Sequence, residues 1–282
     1  MPKSKSLTNV HCIIRVSDET RSAALPLSAK LAEAASAYLG VTVITPKAHI
    51  PFSLLGSSYV APMMADLNQR ALTEGEKLIV EAKAQIAASG LSAHVEMTHD
   101  VLEEAAARAV RVARATDVIV VDQPRAVLDV TGLILEEALF RSGRPVLVAS
   151  PRCAPKGSFQ RAVIAWDGSS HAARAVGDLV QVFPDIVQAD IVVVSGEKPL
   201  DRMLPGADVA HHLARKGIET KLVEKTVVGE TVGAVLDRHA IETGADLIVM
   251  GGFGHSRFKE FLFGGVTVEL TQTAHVPLFM AY

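Results

Sequence analysis

Residues 250–267, MGGFGHSRFKEFLFGGVT, place glycines at 251, 254, 264 and 265 around a loop that also carries His255, Ser256, Arg257 and Thr267. Without a Cβ, glycine lets backbone N–H groups close on an oxyanion, and a helix starting near Gly264 would add its unpaired N–H groups and positive dipole end. The preceding ADLIV, residues 245–249, reads as a buried parallel strand opening into the loop. Strand, glycine loop and helix in this order suit the phosphates of a nucleotide. An isolated G-x-x-G is more often a tight turn, so it is the spacing to Gly264 and the strand in front that favour binding.

Other chemistries find no footing. His211 and His212 are adjacent on a helical stretch, so their side chains diverge, and no H-x-x-x-H or H-E-x-x-H occurs among the 10 histidines. There is no G-x-S-x-G of a hydrolase and no G-x-x-x-x-G-K-[ST] of a P-loop ATPase. Gly252, Gly254 and Arg257 come close to a dinucleotide fingerprint, but the third glycine is missing and the segment follows the fourth strand of its half. No catalytic nucleophile or base is visible, and the chain reads as a binding module.

The composition bounds the partners. Of 282 residues, 49% are hydrophobic and only 5% aromatic, as expected of aliphatic cores around parallel sheets. A net charge of −3 and the absence of a lysine or arginine block argue against nucleic acid. The apolar run near the start is broken by Arg15, too soon for a signal core or a membrane span. Cys12 and Cys153 are the only cysteines and form neither C-x-x-C nor a disulfide framework, which fits a reducing, cytoplasmic setting.

The elements that must hold the loop occur twice. In the second half, strands are expected at 161–166, 190–194, 218–224, 245–250 and from 276 on, with helices at 169–183, 208–216, 229–244 and 266–274. The first half echoes this plan: VHCIIRV answers RAVIAW, ATDVIVVD answers GADLIVMG, and SGRPVLVA answers AHVPLFMA with a proline opening the last strand in both. A spacing of about 130 residues is that of a duplicated domain. The expected division is a domain at 1–150, a proline-containing linker at 151–158 and a second domain at 159–282. Each domain is expected to be doubly wound α/β, a five-stranded parallel sheet with helices on both faces.

The halves differ in chemistry. Where the second half has Gly251, Gly252 and Phe253, the first has Asp122, Gln123 and Pro124. Carboxylates at Asp122 and Asp129 would repel phosphate oxygens and Pro124 removes a donor, so one nucleotide site per chain is expected.

Gly251, Gly254 and Gly264 meet the spacing G-x-x-G, nine residues, G. With Asp167, Gly168 and Ser169 after the first strand and Pro277 opening the last, the chain resembles a tandem-domain member of the universal stress protein family. The resemblance implies a Rossmann-like fold related to the adenine nucleotide alpha hydrolases, with ATP or AMP bound as a regulatory switch in stress response. Met250, Gly251, Gly254, Gly264, Gly265 and Val266 would contact ribose and phosphates through the backbone. His255, Ser256, Arg257 and Thr267 lie at the phosphate end, and Trp166, Asp167 and Val194 form the base and ribose wall. Any Mg would be held through phosphates and not by protein ligands. In the ATP-binding branch the residue after the last motif glycine is serine or threonine, where this chain has Gly265. Asp167 is equally suited to capping a helix, and Trp166 to the core. The resemblance also implies an internal pseudo-dimer whose last strands, Pro145 to Val148 and Pro277 to Met280, meet at the seam, and a homodimer is compatible with it. A nucleotide-free partner scaffold and a slow ATPase served by Asp167 are the alternatives.

Residues 45–67, TPKAHIPFSLLGSSYVAPMMADL, are expected to form a long apolar loop between the second strand and second helix, packed across a domain or subunit boundary or acting as a lid.

Overall fold

The computed structural model describes residues 7–16, 21–48, 60–126, 129–195, 206–252 and 265–282. The first half runs β1 Asn9–Arg15, α1 Ala24–Ala35, β2 Tyr38–Pro46, α2 Val60–Ala88, β3 Ala93–Asp100, α3 Leu102–Ala113, β4 Val118–Asp122, α4 Val130–Arg141 and β5 Val146–Ala149. The second repeats the order as β6 Arg161–Ala165, α5 Ser170–Val182, β7 Gln188–Ser195, α6 Ala207–Arg215, β8 Glu219–Thr226, α7 Val232–Thr243, β9 Leu247–Gly251, α8 Gly265–Thr273 and β10 Leu278–Ala281. The expected alternation is present in both halves.

Each half contributes five parallel strands, and the two sets join edge to edge in one ten-stranded sheet of order β3-β2-β1-β4-β5-β10-β9-β6-β7-β8. The join is the antiparallel pair β5 and β10, with Leu278 opposite Val148, Phe279 opposite Leu147 and Met280 opposite Val146. The last strands thus meet at the seam, as expected. Both are fully buried, because helices cover the sheet on each face.

Strand alternation divides the core in two. Val10, Cys12 and Ile14 of β1 face the layer of α1, α2, α5 and α6, while Ile13 faces that of α3, α4, α7 and α8. On the first face Phe183 stacks edge-on with Phe159 at 4.9 Å and with Phe279 of the seam at 5.5 Å. No described helix is long and apolar enough to cross a membrane.

Helix ends follow local chemistry. Ser169 and Thr231 cap α5 and α7 by accepting the N–H groups of Ala172 and Ala234, and Gly244 ends α7 with φ +63°. The expected loop at 45–67 needs correction. Thr45 and Pro46 finish β2 and residues 60–67 already belong to α2, since Ala, Met and Leu favour helix and Pro62 lies in the first turn, where its missing N–H breaks no bond. Residues 49–59 lie outside the described residues.

Candidate functional site

From β6 the chain moves outward to β7 and β8, then returns to lay β9 on the other side of β6. Strand order therefore reverses between β6 and β9, and the crevice at their carboxyl ends is where an open α/β sheet takes a ligand. Four expected site residues stand there. Ala165 pairs with Met250, so Trp166 and Asp167 leave β6 beside Met250 and Gly251 at the end of β9. Val194, near the end of β7, is one strand farther out. Gly254, His255, Ser256, Arg257 and Gly264 lie outside the described residues.

Gly251 is set against the start of α5. A Cβ on it would stand 2.6 Å from the backbone nitrogen of Ala172 and 2.8 Å from the carbonyl carbon of His171. Real Cβ atoms do not approach backbone so closely, so the absence of a side chain is what lets β9 and α5 come together at this point. Gly252 is similarly placed against the first half: a Cβ there would be 2.7 Å from Leu139 Cδ2, and its N–H donates to the Ala281 carbonyl at 2.7 Å. The entrance to the glycine loop is thereby tied to both α5 and α4.

Asp167 shapes the turn between β6 and α5. Its Oδ1 accepts the Ser169 N–H at 2.9 Å, and Ser169, not Asp167, caps the helix. The Asp167 side chain is exposed, whereas Trp166 packs in the hydrophobic core at 9% exposure. Its Nε1 and the His171 Nδ1 are buried without hydrogen-bond partners among the described residues. His171 also stacks on Tyr282 at 4.6 Å. Its position was not foreseen, because only the closeness of α5 to Gly251 brings it to the crevice.

On the far side of residues 253–264, α8 begins at Gly265. A Cβ on Gly265 would meet no atom of the described residues within 4 Å, Val266 is half-buried, and Thr267 is buried. The described residues contain no group of three or more His, Cys, Asp or Glu placed to hold a metal ion.

The first half shows what replaces Gly251. Asp122 ends β4 as Gly251 ends β9, and its Oδ1 accepts the N–H groups of Ala23 at 2.7 Å and Ala24 at 2.9 Å and the Ser22 hydroxyl at 3.0 Å. Burial pushes this carboxyl above the usual carboxylate range, opposed by those three donors and by Arg15. Asp129 is likewise turned to backbone, accepting from Gly132 N at 2.6 Å and Arg125 N at 2.8 Å. Both carboxylates thus face N–H groups rather than standing bare at the crevice.

The register also pairs Arg15 with Asp167. Ile13 lies opposite Val121 as Ala165 lies opposite Met250, and two residues on come Arg15 in one half and Asp167 in the other. Arg15 and Arg152 were missed as site residues. Aligning VHCIIR with AVIAWD would have exposed the first, but Arg152 joins the crevice only through the crossing of the linker.

Comparison with known proteins agrees with this architecture. The family model described as universal stress protein family matches residues 158–281. A universal stress protein of Mycobacterium tuberculosis is 26% identical over 147 residues, covering 44% of this chain and 97% of that protein. Among solved structures, a universal stress protein from Archaeoglobus fulgidus superposes with a TM-score of 0.68 at 17% identity, covering 96% of this chain and 95% of its own. A protein of unknown function from Pseudomonas aeruginosa follows with a TM-score of 0.59 at 12% identity, covering 98% and 93%. At these identities the structures bear on fold alone. The second half of the chain, residues 158–281, belongs to the universal stress protein family, and the first half repeats the same α/β fold ahead of it.

Proposed function

We propose that the second half binds an adenine nucleotide, ATP or AMP, in the crevice between β6 and β9, and that occupancy acts as a regulatory switch in a cytoplasmic stress response. The observation that carries this reading is Gly251, whose missing Cβ brings the end of β9 against the N-terminal turn of α5 at the point where strand order reverses. Its neighbours suit the ligand: the exposed Asp167 after β6 suits ribose hydroxyls, and the backbone N–H groups at the start of α8 suit phosphates. Mg would be held by phosphate oxygens, since the described residues offer no acidic cluster.

The contact of Gly252 with Leu139 supports a switch, because a change at the loop entrance is felt by α4 of the other half. Among the described residues of the crevice Asp167 is the candidate base for water attack, and the reading is a binding protein first. A homodimer is compatible with it. The test is to purify the chain, denature it and identify released nucleotide by mass spectrometry. Released ATP or AMP is the expected result. No released nucleotide, together with no calorimetric response to added ATP or AMP, would leave a nucleotide-free scaffold.

A further inference from the structure

The sheet ends in β3 on one side and β8 on the other, while β5 and β10 are already paired with each other at the seam. Among the described strands, only β3 and β8 therefore have a neighbour on one side alone, and an unpaired ladder edge is a template for another strand.

The free side of β8 is set by its pairing with β7. The two run parallel, with the Glu219 N–H donating to the Val187 carbonyl at 2.8 Å and the Val227 N–H to the Ser195 carbonyl at 3.0 Å. The odd-numbered residues between them thus bond β7, and the alternation of the ladder aims the N–H and C=O groups of Thr220, Leu222 and Glu224 away from the sheet. Leu222 is 39% exposed, and Glu219, Lys221 and Glu224 are exposed as well.

A two-fold axis perpendicular to the sheet sets two copies of this strand antiparallel and makes opposed residues share a face. With the axis at Leu222, each Leu222 meets the other and Thr220 meets Glu224 of the second copy, so the outward N–H and C=O groups answer one another. The same register places Glu219 against Lys225 of the second copy and Lys225 against its Glu219. A shift of two residues one way would set Lys221 against its own copy, and two residues the other way would set it against Lys225. Charge on an edge strand ordinarily keeps it single, whereas here the order of signs singles out one pairing. The opposite edge lacks this device: β3 carries Glu96 and Asp100 with no lysine or arginine to answer them.

We infer that β8 is a self-association edge, which pairs antiparallel about Leu222 with β8 of a second copy of this chain to give a homodimer with one continuous sheet. The occupant is a second copy because Glu219 and Lys225 complement themselves under the two-fold axis. A β3 to β8 contact would instead repeat from chain to chain without closing. The inference stands whether or not the crevice between β6 and β9 takes a nucleotide.

Sedimentation equilibrium of the full chain, from micromolar to near-millimolar concentration, tests it. A reversible monomer to dimer equilibrium is expected, loosened by salt. Glu219→Lys sets lysine against Lys225 on both sides of the axis and is expected to raise the dimer dissociation constant about tenfold or more, as is Lys225→Glu. Combining the two exchanges the signs, and dimerisation is expected to return. Leu222→Lys, which brings like charges together on the axis, gives a further variant with the same expected loss if either exchange alters the wild-type far-ultraviolet circular dichroism. Glu96→Lys on the opposite edge should leave the dimer unchanged. A chain that stays monomeric, single exchanges without effect, a combined exchange no better than the single ones, or a dimer lost with Glu96→Lys would overturn the edge. Growth past the dimer would overturn the two-fold pairing.

Discussion

A Cβ on Gly251 would stand 2.6 Å from the backbone nitrogen of Ala172, and at the matching place in the first half the Asp122 carboxylate hydrogen-bonds the nitrogens of Ala23 and Ala24. One fold position is thus used in opposite ways. In the second half the end of β9 is bare and the helix start is approached by backbone alone, while in the first an acidic side chain occupies the helix start. The neighbouring position is exchanged too, Asp167 in one half against Arg15 in the other.

Gly251→Ala should therefore be costly in a way an exposed glycine would not be. The added methyl meets backbone atoms of His171 and Ala172, which cannot swing aside as a flexible side chain would. Loss of about 1 to 3 kcal/mol is expected from the overpacking, measured by urea denaturation, together with weaker ATP binding. A fully wild-type denaturation midpoint would contradict the close packing.

Gly265→Ser should strengthen ATP binding. Gly265 begins α8, and a Cβ there would meet no atom of the described residues within 4 Å, so a serine hydroxyl at this helix start is expected to add a donor to the phosphates. A charge-assisted hydrogen bond of this kind corresponds to about a tenfold gain in affinity by calorimetry. An unchanged or weaker affinity would mean that the phosphates do not lie against the start of α8.

The two halves should unfold together, because β5 and β10 are buried at a shared seam. Trp166 is the single tryptophan and reports on the second half, while circular dichroism reports on the whole chain. The two transitions should coincide, and Phe279→Ala should shift both by an amount corresponding to about 3 to 5 kcal/mol. A tryptophan transition separated from the helical one would show halves that fold independently.

His11 should make the chain acid-sensitive. Burial, with His94 nearby, lowers its pKa from an ordinary 6.5 to about 4, and its Nε2 lies 3.0 Å from the Thr42 hydroxyl. The unfolded chain takes up the proton near pH 6.5 while the folded chain resists it until about 4. The stability is therefore present above pH 6.5 and lost as pH falls from there through about 4, roughly 3 kcal/mol in all. Thermal unfolding of His11→Gln between pH 7 and 4 should show a smaller decline than the wild type. Parallel declines would contradict this.

Much of the fold is legible in the sequence because strands buried on both faces read as unbroken apolar runs, as in LIVM of β9, and because the echo of that run in VIVV of β4 exposes the duplication. Ser169 and Gly244 mark helix ends through local hydrogen bonding and backbone conformation alone. The start of α2 at residue 60 was hidden because VAPMMADL is apolar all round and its proline suggests a loop. Contacts between distant segments leave no such local trace. Leu139 against Gly252 and the meeting of Arg15 with Arg152 arise only when the crossovers and the β5–β10 seam are assembled.

The central claim concerns the crevice between β6 and β9, and its most direct test is calorimetric titration of ATP, then AMP, into nucleotide-free full-length chain, with Asp167→Ala and Gly251→Ala alongside. The account predicts saturable binding at a single site per chain, weakened in both variants while Arg15→Gln retains it. Absence of binding by the folded wild type, or binding that survives both second-half variants and is lost with Arg15→Gln, would contradict it.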